Sequence, residues 1–211
     1  MKKLLILYVT IVVLTQAATA QILINAGFEQ PIQTHPDGFS NISPGGEPIG
    51  FGWTIAAGNV DLVGSYWPAA AGNQSLDLNG FLAGSIFQDV LFANGGIYRV
   101  NFQFSGNPAA APAIKEMRID FGPVAGSLTD VGTFSFDTTG HDLTNLGWRP
   151  EQSADLVVSA GTVYRLQFTS LITGSYGPLL DDISIVQVPE SAASLFVLIG
   201  TFAWANRKRF V

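Results

Sequence analysis

The sequence predicts an all-β protein, an antiparallel β-sandwich of jelly-roll type. Three observations carry that expectation. Several segments alternate apolar and polar residues with a period of two, the pattern of a strand with one buried face. Glycine and proline are abundant, at 23 and 11, whereas only 12% of residues are charged. No stretch between Gln21 and Val188 repeats its apolar residues at the spacing of an amphipathic helix. With 47% apolar residues, the chain has enough core-forming material to exclude disorder.

Residues 1–20, MKKLLILYVTIVVLTQAATA, place two lysines before an apolar run from Leu4 to Leu14 and end in Ala18-Thr19-Ala20. That order is the anatomy of a secretory signal peptide with a small-x-small cleavage site at Ala18 and Ala20, so signal peptidase is the expected processing partner. The folded domain is expected over residues 21–187. Its clearest strands are IYRVNFQFS (97–105), KEMRIDF (115–121) and TVYRLQFTS (162–170). In the first, Tyr98, Val100, Phe102 and Phe104 share one face; in the second, Met117, Ile119 and Phe121; in the third, Tyr164, Leu166 and Phe168.

Shorter candidates are ILI (22–24), GWTI (52–55), NVDLV (59–63), SLDLN (75–79), GSIFQDV (84–90), GTFSF (132–136), DLVVS (155–159) and DISIVQV (182–188). Asn79-Gly80 and Asn94-Gly95 are turn dipeptides between such runs. The stretch EQPIQTHPDGFSNISPGGEPIGFG, rich in Pro, Gly, Asn and Ser, reads as a long surface loop.

The chain holds 16 acidic and 10 basic residues. Lys2, Lys3, Arg207, Lys208 and Arg209 lie in the terminal segments, as does Glu190, leaving the domain 5 bases against 15 acids and a formal charge near −10. Such a surface repels phosphate backbones and argues against nucleic acid. It is compatible with divalent cations or neutral glycans. With no cysteine, an exported domain must hold together through its core, with or without a metal.

Residues 188–211 form a separate tail. Its apolar part, Ala192 to Ala205, would span about 21 Å as a helix, against a hydrocarbon core of about 30 Å. That length suits transient membrane insertion, and Arg207, Lys208 and Arg209 would stay on the cytoplasmic side, leaving the domain outside. Val188-Pro189-Glu190, the short apolar helix and the basic terminus together resemble the PEP-CTERM sorting signal of Gram-negative bacteria. The resemblance implies an exosortase as partner and a destination at the cell surface or in the extracellular polysaccharide matrix. Ser191 stands where that signal has its second proline. An ordinary C-terminal anchor or a buried helix is the alternative.

The body also carries a resemblance. NAGFE (25–29), GNVDLVGSYW (58–67), GNQSLDLNG (72–80), SGNP (105–108), FDTTG (136–140), NLGW (145–148) and FTSLITGSYGPLLDDISI (168–185) together resemble the choice-of-anchor C domain. More loosely, the opening N-x-G-F-E and closing L-D-D-I-S-I are similar to galactose-binding-like jelly rolls, which include many carbohydrate-binding modules and a plant cell-wall family. In several of these a first-strand Glu and a last-strand Asp meet at a structural calcium ion. The resemblance implies Glu29 and Asp181 as that pair. Asp181 shares parity with Ile183 and Ile185, which predicts a carboxylate on the core side in need of a partner. Calcium, with six to eight oxygen ligands, is one such partner. Backbone amides or a capped turn are the other.

A sugar site combines aromatic faces with polar groups that reach hydroxyls. Trp53, Tyr66, Trp67, Trp148 and Tyr176 all lie in or beside turn-like segments and are the candidate ligand-binding residues, each with the alternative of core packing. Arg149 beside Trp148 has the option of covering that ring. No Gly-x-Ser-x-Gly elbow, His-Glu-x-x-His, phosphate loop or thiol nucleophile is present, and His35 and His141 lack metal-ligand spacing. The sequence therefore points to a non-catalytic module bound to extracellular polysaccharide, or to a structural matrix protein without a specific glycan ligand.

Overall fold

A computed structural model describes residues 20–21 and 23–189 of the 211-residue chain. The signal-peptide expectation, with Ala18, lies outside the described residues, as do Glu190, the C-terminal helix and Arg207, Lys208 and Arg209. Among the described residues every regular element is a strand. In chain order these are β1 (Ala20–Gln21), β2 (Phe39–Ile42), β3 (Thr54–Ala57), β4 (Val60–Val63) and β5 (Ser75–Asp77). The middle of the chain forms β6 (Ser85–Phe92), β7 (Gly96–Gly106), β8 (Ile114–Pro123) and β9 (Thr129–Asp137). Then follow β10 (Arg149–Gln152), β11 (Leu156–Val158), β12 (Thr162–Ser170) and β13 (Pro178–Gln187).

Two antiparallel sheets face each other. The larger runs β10-β7-β13-β5-β4-β2, with β1 added on β13 and β11 on β7; the smaller runs β3-β6-β12-β8-β9. The period of two in β7, β8 and β12 does what it predicts: Phe102, Phe104, Met117, Ile119, Leu166 and Phe168 are all buried between the sheets. Burying each such side chain contributes about 2 kcal/mol, which a domain without disulfides needs. The Asn94-Gly95 turn links β6 to β7, strands of different sheets, so it is a corner of the sandwich and not a hairpin.

Three local expectations are corrected. The Pro- and Gly-rich loop contains β2, which pairs with β4 at the edge of the larger sheet through Phe39↔Val63 and Asn41↔Asp61. An edge strand of four residues leaves too short an alternation to detect. Arg149–Gln152 is likewise a strand, on the other edge, although its sequence RPEQ has no apolar face. Leu23 and Ile24, read as part of a strand, belong to coil and turn.

The most consequential departure is a bulge in β13. Asp181 pairs with Gln103 but Ser184 pairs with Asn101, one extra residue on the β13 side. Asp182 absorbs it with a φ of 47°. A one-residue insertion reverses the facing of everything beyond it. Leu180 therefore points into the main core together with Ile183 and Ile185, and Asp181 faces outward. It is buried under the segment that joins β4 to β5, whose Ala70 and Ala71 amides reach its carboxylate; Trp67 of that segment packs with Val63, Leu146 and Leu179 in a second, smaller apolar cluster on the outer face of the larger sheet.

Candidate functional site

Across the outer face of the larger sheet, Asn41, Asp61, Asp77 and Leu179 are successive neighbours on β2, β4, β5 and β13. Leu62, Leu76 and Leu180, beside them in sequence, fill the core, so alternation turns the two acids outward. Asp77 is nonetheless buried. Its Oδ1 accepts hydrogen bonds from the Asn79 amide (2.8 Å) and the Gly177 amide (3.1 Å), and its Oδ2 from Asn107 Nδ2 (2.8 Å). Desolvation outweighs these donors and pushes its pKa up to about 8, with the nearby Asp61 adding to the rise. Burial also raises the Asp61 pKa, against the Asn41 Nδ2 donor 2.8 Å from its Oδ1.

The same network secures the segment between β12 and β13. Asn79 Nδ2 donates to the carbonyls of Ile172 (2.7 Å) and Gly174 (2.6 Å), which settles its orientation and leaves its buried Oδ1 without a hydrogen-bond partner. Lys115 lies buried below, its Nζ donating to the carbonyls of Ala110 and Tyr176, both at 2.8 Å. Burial lowers the Lys115 pKa, countered by Asp77. The backbone that presents Tyr176 is thus held by three buried polar side chains.

A cavity of about 250 Å³ opens above this row. Tyr66, Phe81 and Tyr176 rise at its rim, 42%, 71% and 40% exposed, and Trp67 walls one side. Asp61, Asn107 and Ser175 supply polar atoms. Tyr66 is braced edge-on by Phe39, ring centres 5.3 Å apart, while Trp67 turns inward and donates from Nε1 to Ser75 Oγ at 2.9 Å. Gly80 lines the same space; a β-carbon there would overlap Asn41 Nδ2 and press on Asp61 Oδ1.

Of the five aromatic candidates, the structure brings Tyr66, Trp67 and Tyr176 together and places two elsewhere. Trp53 is 2% exposed in the main core, its Nε1 donating to the Asn25 carbonyl at 3.1 Å. Trp148 is half-buried against the smaller cluster and donates to the Pro68 carbonyl at 3.0 Å. Arg149 covers Phe136, 5.2 Å from its ring centre, and not Trp148. Sequence reasoning missed Asp61, Phe81 and Asn107. The available signal, for Asp61 alone, was an acid between apolar residues in VDLV, matched by another in SLDL on the adjacent strand.

Glu29 and Asp181 do converge, on the segment between β4 and β5. Asp181 Oδ2 accepts the amides of Ala70 and Ala71, both at 2.9 Å, and its Oδ1 that of Asp182 at 2.7 Å. Glu29 Oε1 accepts the amides of Asn73 (2.8 Å) and Gln74 (3.0 Å). At Gly72, with φ of 64°, a β-carbon would collide with the Glu29 carboxylate. Burial raises the Asp181 pKa to about 6 against these three amides. This arrangement does not fit a calcium ion between the two acids. The loop directs N–H groups, the positive ends of its peptide dipoles, at the carboxylates, where a cation needs carbonyl oxygens. Among the described residues no group of three or more His, Cys, Asp or Glu side chains is placed to hold a metal.

The chain belongs to the DUF642 family, described as "Protein of unknown function (DUF642)", whose model matches residues 21–186. This corrects the resemblances drawn from the body and the tail. DUF642 is a different family from the choice-of-anchor C domain, and no PEP-CTERM signal is found with it. A segment of 139 residues is 29% identical to Halomucin of Haloquadratum walsbyi, covering 64% of this chain but 1% of Halomucin. Among solved structures, TmCBM61 in complex with β-1,4-galactotriose aligns over 82% of this chain and 100% of its own, at 17% identity and a TM-score of 0.51. A family 35 carbohydrate binding module from Clostridium thermocellum aligns over 70% and 96%, at 18% identity and a TM-score of 0.44. The likeness to the first shows a shared jelly-roll-like sandwich.

Proposed function

We propose that this DUF642 domain is a non-catalytic carbohydrate-binding module of an exported protein, working on polysaccharide at or outside the cell surface. The observation that carries the reading is the pocket: three exposed rings, Tyr66, Phe81 and Tyr176, stand around Asp61 and Asn107. Aromatic faces suit the C–H surface of a sugar ring, and a carboxylate and an amide beside them suit its hydroxyls. TmCBM61, which shares the fold, was solved with a bound galactotriose. Export is supported by the signal-peptide pattern of residues 1–20.

Glycoside hydrolysis needs two carboxyl groups flanking the scissile bond. Asp61 is the one carboxylate among the pocket's lining residues, and Asp77 lies buried behind it with both oxygens engaged. Calorimetric titration of the purified protein with neutral oligosaccharides tests the reading. Saturable binding is expected, weakened about tenfold (~1.4 kcal/mol) in Tyr176→Ala. No binding across a broad panel of bacterial and plant glycans would leave a structural surface protein as the better description.

A further inference from the structure

Resting on the binding-module reading, we infer that the pocket selects uncharged glycans and that Asp61 is the residue that turns acidic ones away. The inference starts from where the domain's five bases go. Arg99 is paired with Asp155, Arg118 with Asp120, Arg149 with Glu151 and Arg165 with Asp89. The fifth, Lys115, directs its amine at the Ala110 and Tyr176 carbonyls from beneath the rim. No base therefore lines the cavity.

What the cavity does present is a carboxylate. Asn41 Nδ2 occupies Asp61 Oδ1, leaving the other oxygen for a ligand. Asp77 stands directly opposite on the adjacent strand with both its oxygens engaged by Asn79, Gly177 and Asn107, so Asp61 alone presents a carboxylate to the cavity. A neutral sugar brings hydroxyl donors, which an ionised carboxylate accepts with the strength of a charge-assisted bond. A uronate brings a negative charge to a partly desolvated acid with no cation to offset it, and like charges at short range are strongly repelled there. Gly80 keeps this geometry open, because any side chain at that position would push Asn41 away from Asp61.

The test pairs neutral trisaccharides, β-1,4-galactotriose, cellotriose and xylotriose, with trigalacturonate and a glucuronic-acid trisaccharide. Each is titrated into the full chain and into Asp61→Asn at low and moderate ionic strength. At least one neutral sugar should bind the wild type tenfold or more tighter than either uronate, with the gap narrowing as salt rises. Asp61→Asn should shrink the gap to within threefold, by weakening neutral binding, by admitting uronates, or both. A uronate that binds the wild type as well as the neutral sugars overturns the inference while leaving the binding-module reading intact, and so does an unchanged gap in Asp61→Asn. If no sugar binds, the parent reading fails and this one falls with it. Circular dichroism of Asp61→Asn, expected to match wild type, separates a lost contact from a lost fold.

Discussion

Two acid pairs, one bound to the segment that joins β4 to β5 and one on the outer face of the larger sheet, meet opposite fates. Glu29 and Asp181 receive five backbone amides between them, four from the one segment that joins β4 to β5. Asp61 and Asp77 stand side by side on adjacent strands, share no cation, and sit beneath an open cavity. Close by, Asn79 Oδ1 is buried without a hydrogen-bond partner. The first pair is matched by donors and behaves as structure. In the second, Asp61 faces the cavity, where a ligand can reach it, above buried polar groups whose local cost is of the kind that persists at working sites. The two are linked, because the segment held by Glu29 and Asp181 also carries Tyr66 and Trp67 to the cavity.

The largest expected effect comes from breaking the first pair. Asp181→Ala strands three amides beside an apolar cluster and should cost about 3 kcal/mol or more in chemical denaturation. Glu29→Ala strands two at a more exposed place and should cost about 1–2 kcal/mol. Equal losses for the two would contradict the asymmetry in burial. Next is pH. Asp77 and Asp181 both bind a proton more tightly folded, at about 8 and about 6, than at the ordinary value of 3.8. The folded state thus holds more protons, and stability falls as pH rises from about 4 to about 8. Between pH 4 and 6 both acids contribute; between 6 and 8 Asp77 acts alone. Thermal melts of Asp77→Asn should lose the upper part of that decline and keep only the Asp181 share, about half, of the lower part.

Smaller still, Tyr176→Ala should change stability by no more than about 0.5 kcal/mol, and Tyr66→Ala, which loses ring contacts with Phe39 and Trp67, by about 1 kcal/mol, while both weaken glycan binding. A large stability loss would make these rings structural. The smallest effect is expected from calcium. Melting temperature should be the same with excess calcium and with a chelator, and a rise of several degrees on adding calcium would show that the Glu29–Asp181 loop rearranges to admit the ion.

Much of the sandwich was legible because β7, β8 and β12 are long enough for alternation to be unambiguous. Strands β2 and β10 were not, since four polar or mixed residues at a sheet edge carry no periodic signal. At the site, Tyr66, Trp67 and Tyr176 were visible as aromatics beside turns, yet the same argument nominated Trp53, which packs in the core, and Trp148, half-buried away from the cavity. Local sequence shows that a ring lies near a turn, but not which side of the sheet the turn closes over.

The sequence by itself determined the two-sheet β architecture and the acidity of the domain, and its opening and closing motifs, through their resemblance to galactose-binding-like jelly rolls, implied a pairing of Glu29 with Asp181. Those follow from alternation, charge count and motif, all properties of short stretches. Only the tertiary structure decided that Asp181 faces outward, that its partners are amides, and that Asp61, backed by the buried Asp77, shares a cavity with Phe81 and Tyr176. The physical reason is register: a single inserted residue in β13 and the order of β2, β4, β5 and β13 across the sheet choose which side chains become neighbours. That order is set by the whole fold and not by any one segment.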